Sequence, residues 1–131
     1  MEFETVWSAQ SFYLFSPSHF GQICFSSQLK VFIVEGIINS VEQANVSENP
    51  KRGTLRGFHF QKKPHEEAKT ISCFKGSFFD VIIDLRKKSP TYKKWQSFII
   101  NEKNRYSLHI PKGCANAFLT LIDNTVIHYY C

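Results

Sequence analysis

An all-β fold, a sandwich, jelly roll or barrel, is what this sequence predicts, and three observations predict it. From Val41 onward the chain breaks into short apolar or alternating runs rich in β-branched and aromatic residues. Turn signals separate those runs at intervals of about 8 to 12 residues, the spacing of all-β domains. No stretch of about ten residues sustains helical periodicity.

Residues 1–40 carry Phe and Ser in no clean period, and the strand candidate there is Val31-Phe32-Ile33-Val34, ahead of Gly36. Thr70 to Phe74 leads through Lys75-Gly76 into Ser77 to Leu85, which reads as a hairpin. Pro90-Thr91 and Asn101 to Asn104 bracket a strand at Trp95 to Ile100. Arg105 to Ile110 stops at Pro111-Lys112-Gly113, and the runs Ala115 to Leu121 and Thr125 to Tyr130 flank an Asp123-Asn124 turn. The last run ends at Cys131, which predicts that the chain lacks a tail that related proteins possess.

At 131 residues and 43% hydrophobic, the chain is long enough for one buried core and too short for two ordinary domains, so 1–131 reads as a single domain. No repeat divides it, and its five prolines are scattered singly. Sixteen Lys and Arg against eleven Asp and Glu give +5, which favours an anionic partner without choosing one. The start Met1-Glu2-Phe3-Glu4 is acidic where a signal peptide is basic. No apolar run approaches the roughly 18 residues of a membrane span. A soluble, cytoplasmic protein with no membrane partner is expected. Cys24, Cys73, Cys114 and Cys131 form no C-x-x-C pair, so free thiols are expected, and Asn45-Val46-Ser47 is a chance sequon.

The densest reactive cluster is Leu55-Arg56-Gly57-Phe58-His59-Phe60-Gln61, with Lys69 on the next candidate strand. His takes a proton near neutral pH, Lys stabilises an enolate or a phosphate, and Arg holds a diphosphate through its planar fork. Strict alternation puts Arg56 and His59 on opposite faces, so a shared pocket requires a bulge at Gly57. The bland alternative is a core-facing His between two Phe rings, with Arg and Lys in solvent. Asp80 and Asp84 fall on one strand face and need partners, for which Lys69 and Arg86 are available. A metal site fits poorly: Gln61 stands where an H-x-H pair needs its second His, and His65 with Glu66 matches no ligand spacing. RNA binding is a further alternative, since Arg56 to Phe60 resembles the aromatic strand of RNA-recognition domains. The match then fails at Gln61-Lys62-Lys63, and the required helices are missing from the pattern.

Taken in order, the segments Gln43 to Ser47, Thr54 to Gln61, Ala68-Lys69, Phe79 to Arg86, Ser89 to Tyr92 and Ile110 to Ala115 resemble the dTDP-4-dehydrorhamnose 3,5-epimerase family. The similarity runs from about Val41 to Tyr129. The resemblance implies a cupin-like jelly roll (a double-stranded β-helix barrel), a homodimer, no metal and no cofactor. It implies a nucleotide-sugar substrate rather than nucleic acid: a nucleotide-linked 4-keto-6-deoxyhexose inverted at C3, C5 or both. On that resemblance His59 falls on the base, Lys69 on the enolate-stabilising lysine and Tyr129 on the opposing acid. Gln43, Asn45 and Arg56 fall on substrate-binding positions, and Asp80 on an acidic position in the same pocket.

Three features depart from the family's pattern. Asn116 stands where the family has a histidine near the diphosphate, and an amide carries no charge. Ser18-His19-Phe20-Gly21-Gln22 replaces an early Asp-x-Arg-Gly stretch that serves the nucleotide. The family's tail supplies an acidic partner to the base histidine, and no residue here takes that role. A non-catalytic cupin that binds a sugar nucleotide or another protein is therefore the second reading.

Overall fold

The computed structural model describes residues 42–131 and two short strands before them, β1 (Glu4–Thr5) and β2 (Tyr13–Phe15). The Val31 to Val34 candidate, Cys24 and Ser18 to Gln22 lie outside the described residues. Eight more strands follow: β3 (Ala44–Asn49), β4 (Leu55–His59), β5 (Lys69–Lys75), β6 (Ser77–Asp84), β7 (Trp95–Asn101), β8 (Ser107–Ile110), β9 (Cys114–Thr120) and β10 (Thr125–Tyr130). No helix occurs among the described residues. The strands form two antiparallel sheets, one in the order β1-β2-β8-β5-β10-β3 and one in the order β4-β9-β6-β7. This is the two-sheet all-β architecture that the alternating runs predict.

β6 shows why these residues make this fold. Phe78, Asp80, Ile82 and Asp84 are buried, while Ser77, Phe79, Val81 and Ile83 between them are half-buried on the other face. The period-2 alternation thus assigns one face to the interior. Phe78 and Ile82 meet Ile71, Leu108, Ile110 and Ile127 of the larger sheet there, together with Phe98 and Ile100 of β7. Fully burying a side chain of this size stabilises the fold by about 1.5–3 kcal/mol.

The hairpin expected at Lys75-Gly76 is not one. β5 pairs with β8 and β10, whereas β6 pairs with β7 and β9, so the chain changes sheets at Gly76. Gly76 has φ +90°, and a Cβ there would lie 2.5 Å from Thr125 Oγ1, which explains why glycine occupies the crossing. β9 and β10 likewise lie in different sheets on either side of the Asp123-Asn124 turn.

At the end of β6 the buried Asp84 organises the following loop. Its Oδ1 accepts from the Arg86 backbone N–H and Nε, both at 2.9 Å. Its Oδ2 accepts from Arg86 Nη2 at 2.8 Å and from the Ser89 and Thr91 hydroxyls at 2.6 Å. Burial alone would raise this carboxyl, but these donors hold it well below the usual carboxylate range. The expected pairing of Asp84 with Arg86 is present.

Candidate active site

Arg56 and His59 share a cavity because β4 is bulged between them. Arg56 stands opposite Phe118 and His59 opposite Asn116, so one extra residue is inserted on β4. Gly57 takes φ +115° at the bulge, and a Cβ there would lie 2.6 Å from both the Ala117 Cα and the Asn116 carbonyl oxygen. The bland alternative fails, since His59 is exposed and so are Phe58 and Phe60 on either side.

Opposite β4, the larger sheet contributes Lys69 from the start of β5 and Tyr129 from β10. Tyr129 pairs with Asn45 on one side and Ile71 on the other, so Asn45, Tyr129 and Ile71 form one cross-strand row. β3 and β4 are edge strands of their respective sheets, so the space between them opens outward.

Two cavities occupy that opening. The larger, about 330 Å³, is lined by Gln43, Asn45, Phe60, Gln61, Glu67 and Cys131. The smaller, about 160 Å³, is lined by Ser47, Arg56, Ile71, Asn116, Phe118 and Ile127. His59, Lys69 and Tyr129 line both and form the wall the two share.

Hydrogen bonds fix several walls. Arg56 Nε donates to Asn49 Oδ1 at 3.0 Å, tying the edge of one sheet to the edge of the other. Asn49 is itself held by its donation to the Thr125 carbonyl at 3.2 Å. Gln43 Nε2 donates to Asn45 Oδ1 at 2.8 Å.

Asp80 lies behind the smaller cavity, fully buried. Its Oδ2 accepts from Asn116 Nδ2 at 3.0 Å, and its Oδ1 has no hydrogen-bond partner. Burial pushes this carboxyl up to about 8, against the opposing pull of the Asn116 hydrogen bond and the Lys69 charge. The expectation that Lys69 would pair with Asp80 is corrected: Lys69 Nζ is 3.4 Å from Glu67 Oε1. Asp80 therefore reaches the site through Asn116 and not as part of its surface.

All eight candidate residues thus gather here, seven on the cavity walls and Asp80 one hydrogen bond behind. Sequence reading missed Glu67 and Cys131. The signal for Glu67 was its spacing of two from Lys69, which puts both side chains on one side of an extended chain. Cys73, Cys114 and Cys131 are free thiols, as expected. Among the described residues no three His, Cys, Asp or Glu side chains are placed to hold a metal, and no helix is long and apolar enough to cross a membrane.

The sequence profile of the dTDP-4-dehydrorhamnose 3,5-epimerase family matches residues 16–131. The dTDP-4-dehydrorhamnose 3,5-epimerase of Mycolicibacterium smegmatis is 41% identical over 91 residues, covering 70% of this chain and 45% of the relative. A crystal structure of the Bacillus anthracis enzyme with TDP and PPi bound superposes with a TM-score of 0.73 at 44% identity, covering 77% of this chain and 58% of that one. The Legionella pneumophila dTDP-6-deoxy-D-glucose-3,5-epimerase in complex with dTDP-4-keto-L-rhamnose gives 0.71 at 33% identity, covering 78% and 54%. The chain spans about half the length of the curated relatives it matches. Its jelly roll, its wall of His59, Lys69 and Tyr129, and a profile match over most of its length agree: the chain belongs to the dTDP-4-dehydrorhamnose 3,5-epimerase family.

Proposed function

We propose that this site epimerises a nucleotide-linked 4-keto-6-deoxyhexose at C3, C5 or both, in the formation of dTDP-rhamnose or a related deoxysugar. The observation that carries the reading is the shared wall. His59 comes from one sheet, Lys69 and Tyr129 from the other, and all three face both cavities. A base and an acid on opposing sheets can address the two faces of one sugar carbon.

The 4-keto group acidifies the neighbouring C–H bonds. His59 removes such a proton, and the C–H electron pair moves to the ketone oxygen as an enolate, whose charge the Lys69 ammonium stabilises. The Tyr129 hydroxyl returns a proton to the opposite face. The phenolate recovers a proton from solvent, and the imidazolium releases one. No electrons enter or leave the sugar, so the reaction itself calls for no redox cofactor. Arg56 and Lys69 give the site a cationic side for an anionic sugar nucleotide, in keeping with the net charge of +5.

The protein acts as a homodimer in this reading. The outer face of the four-stranded sheet supports it, because its cross-strand rows carry no charged side chain. Leu55, Leu119, Phe79 and Ile99 form one row, and Ala115, Ile83 and Trp95 form another. Such a patch lets two chains of like charge meet.

The test is solvent proton exchange. With dTDP-4-dehydro-6-deoxyglucose in heavy water, NMR should show loss of the C3 signal, the C5 signal or both. His59→Ala should slow this by about 10²-fold or more, the scale of general-base catalysis, while dTDP binding persists. Unchanged exchange in His59→Ala would sink the assignment. Tyr129→Phe should stop proton return on one face, and a full rate in that variant would remove Tyr129 from the mechanism.

A further inference from the structure

Of the residues lining the two cavities, Glu67 is the acid, and the epimerase mechanism above gives it no role. A carboxylate is out of place in a cavity for an anionic ligand, since like charges repel across low-dielectric walls. Its surroundings show what it does instead. Glu67 Oε1 lies 3.4 Å from Lys69 Nζ, with side chains 26% and 17% exposed, so the pair is largely screened from water. Lys69 carries its charge on a flexible four-carbon stem that reaches its working position only if something holds the ammonium there. The other acid in range, Asp80, is engaged by Asn116. Glu67 stands two residues before the start of β5, and both side chains line the larger cavity.

We propose that Glu67 is a positioning residue that fixes the Lys69 ammonium in the wall between the two cavities. Its catalytic half rests on the epimerase reading; its structural half does not. Lys69 faces both cavities because Glu67 anchors it at their boundary, where one ammonium can meet an enolate oxygen without folding back against the protein surface.

The experiment uses the full chain labelled with 13C-lysine and compares wild type, Glu67→Gln and Glu67→Asp. The first readout is the order parameter of the Lys69 side-chain methylenes, which needs no substrate and no turnover. Wild type should show an ordered Lys69, Glu67→Gln a mobile one at unchanged melting temperature, and Glu67→Asp an intermediate restored by the retained charge. The second readout is exchange kinetics. Glu67→Gln should lower kcat about 10-fold or more, as small displacements of a catalytic group do, with no rise in KM for the anionic substrate. An equally ordered Lys69 in folded Glu67→Gln overturns the proposal, as does an unchanged kcat in a wild type that exchanges protons. A wild type that exchanges none overturns the epimerase reading alone, and the order parameters still decide for or against Glu67.

Discussion

Asp80 is an acid sealed between Phe98 and Phe118, its register partners on β7 and β9. Its sealed position makes stability depend on pH. Burial raises it from an ordinary 3.8 to about 8. Below pH 4 the carboxyl is protonated in both folded and unfolded chains. Between about 4 and 8 the unfolded chain releases the proton and the native one keeps it, so native stability falls as pH rises, and it levels off above 8. His109 and His128 act with the opposite sign: burial lowers each to about 4, so they remove stability as pH falls from 6.5 toward 4. Asp80→Asn deletes one slope and leaves the other. Urea unfolding of this variant should give a stability, relative to wild type, that rises steadily from pH 5 to pH 8. A difference independent of pH would mean that Asp80 is ionised throughout, and the account of its burial would fall. The sequence showed that Asp80 needed a partner, but not which one. Lys69 was the nearest cation by pattern, yet Glu67 stands two residues from it and takes its charge, leaving Asp80 to Asn116.

At the scale of elements, two glycines separate what local pattern reveals from what it hides. Gly57 was legible, because three residues from Arg56 to His59 cannot keep one face of a strand without a bulge, and glycine is the residue that permits one. Gly76 was not legible. Lys75-Gly76 between two apolar runs has the chemistry of a hairpin turn, and nothing local records that the strands on either side belong to different sheets. Pairing partners are set by contacts far apart in sequence, so β5 and β6 were each recognisable while their relation was not. The bulge gives an element-scale prediction. Gly57→Ala places a methyl against Ala117 and the Asn116 carbonyl at a positive φ that L residues avoid, and either β4 or β9 must move. The cost should be about 1–3 kcal/mol in urea unfolding. Binding of dTDP should weaken with it, because Arg56 and His59 no longer share a cavity. A variant with wild-type stability and affinity would show that the bulge is incidental to the site.

For the molecule as a whole, charge and apolar surface are segregated. Arg56 and Lys69 face the cavities at the open edge of the sandwich, while the outer face of the four-stranded sheet is left to Leu55, Ile99 and Trp95, 68%, 54% and 64% exposed. Singly, exposed apolar residues mean little, but here Leu55 and Ile99 end the same row across the sheet, with the half-buried Leu119 and Phe79 between them. A chain of net charge +5 that pairs with its own copy must do so where charge is absent, and this face meets that requirement. Stable pairs typically bury about 800 Å² per partner around a few aromatic anchors, and Trp95 is the aromatic side chain available at the rim of this face. The double variant Trp95→Lys, Ile99→Lys puts two like charges on each copy at the proposed contact. Sedimentation should show wild type as a dimer and the variant as a monomer, the dissociation constant rising about 10²-fold or more. Both side chains point away from the cavities, so dTDP affinity per chain should be retained, which separates loss of the interface from loss of the fold. A dimer that withstands both lysines would place the contact elsewhere, and a wild type that sediments as a monomer would end the dimer reading.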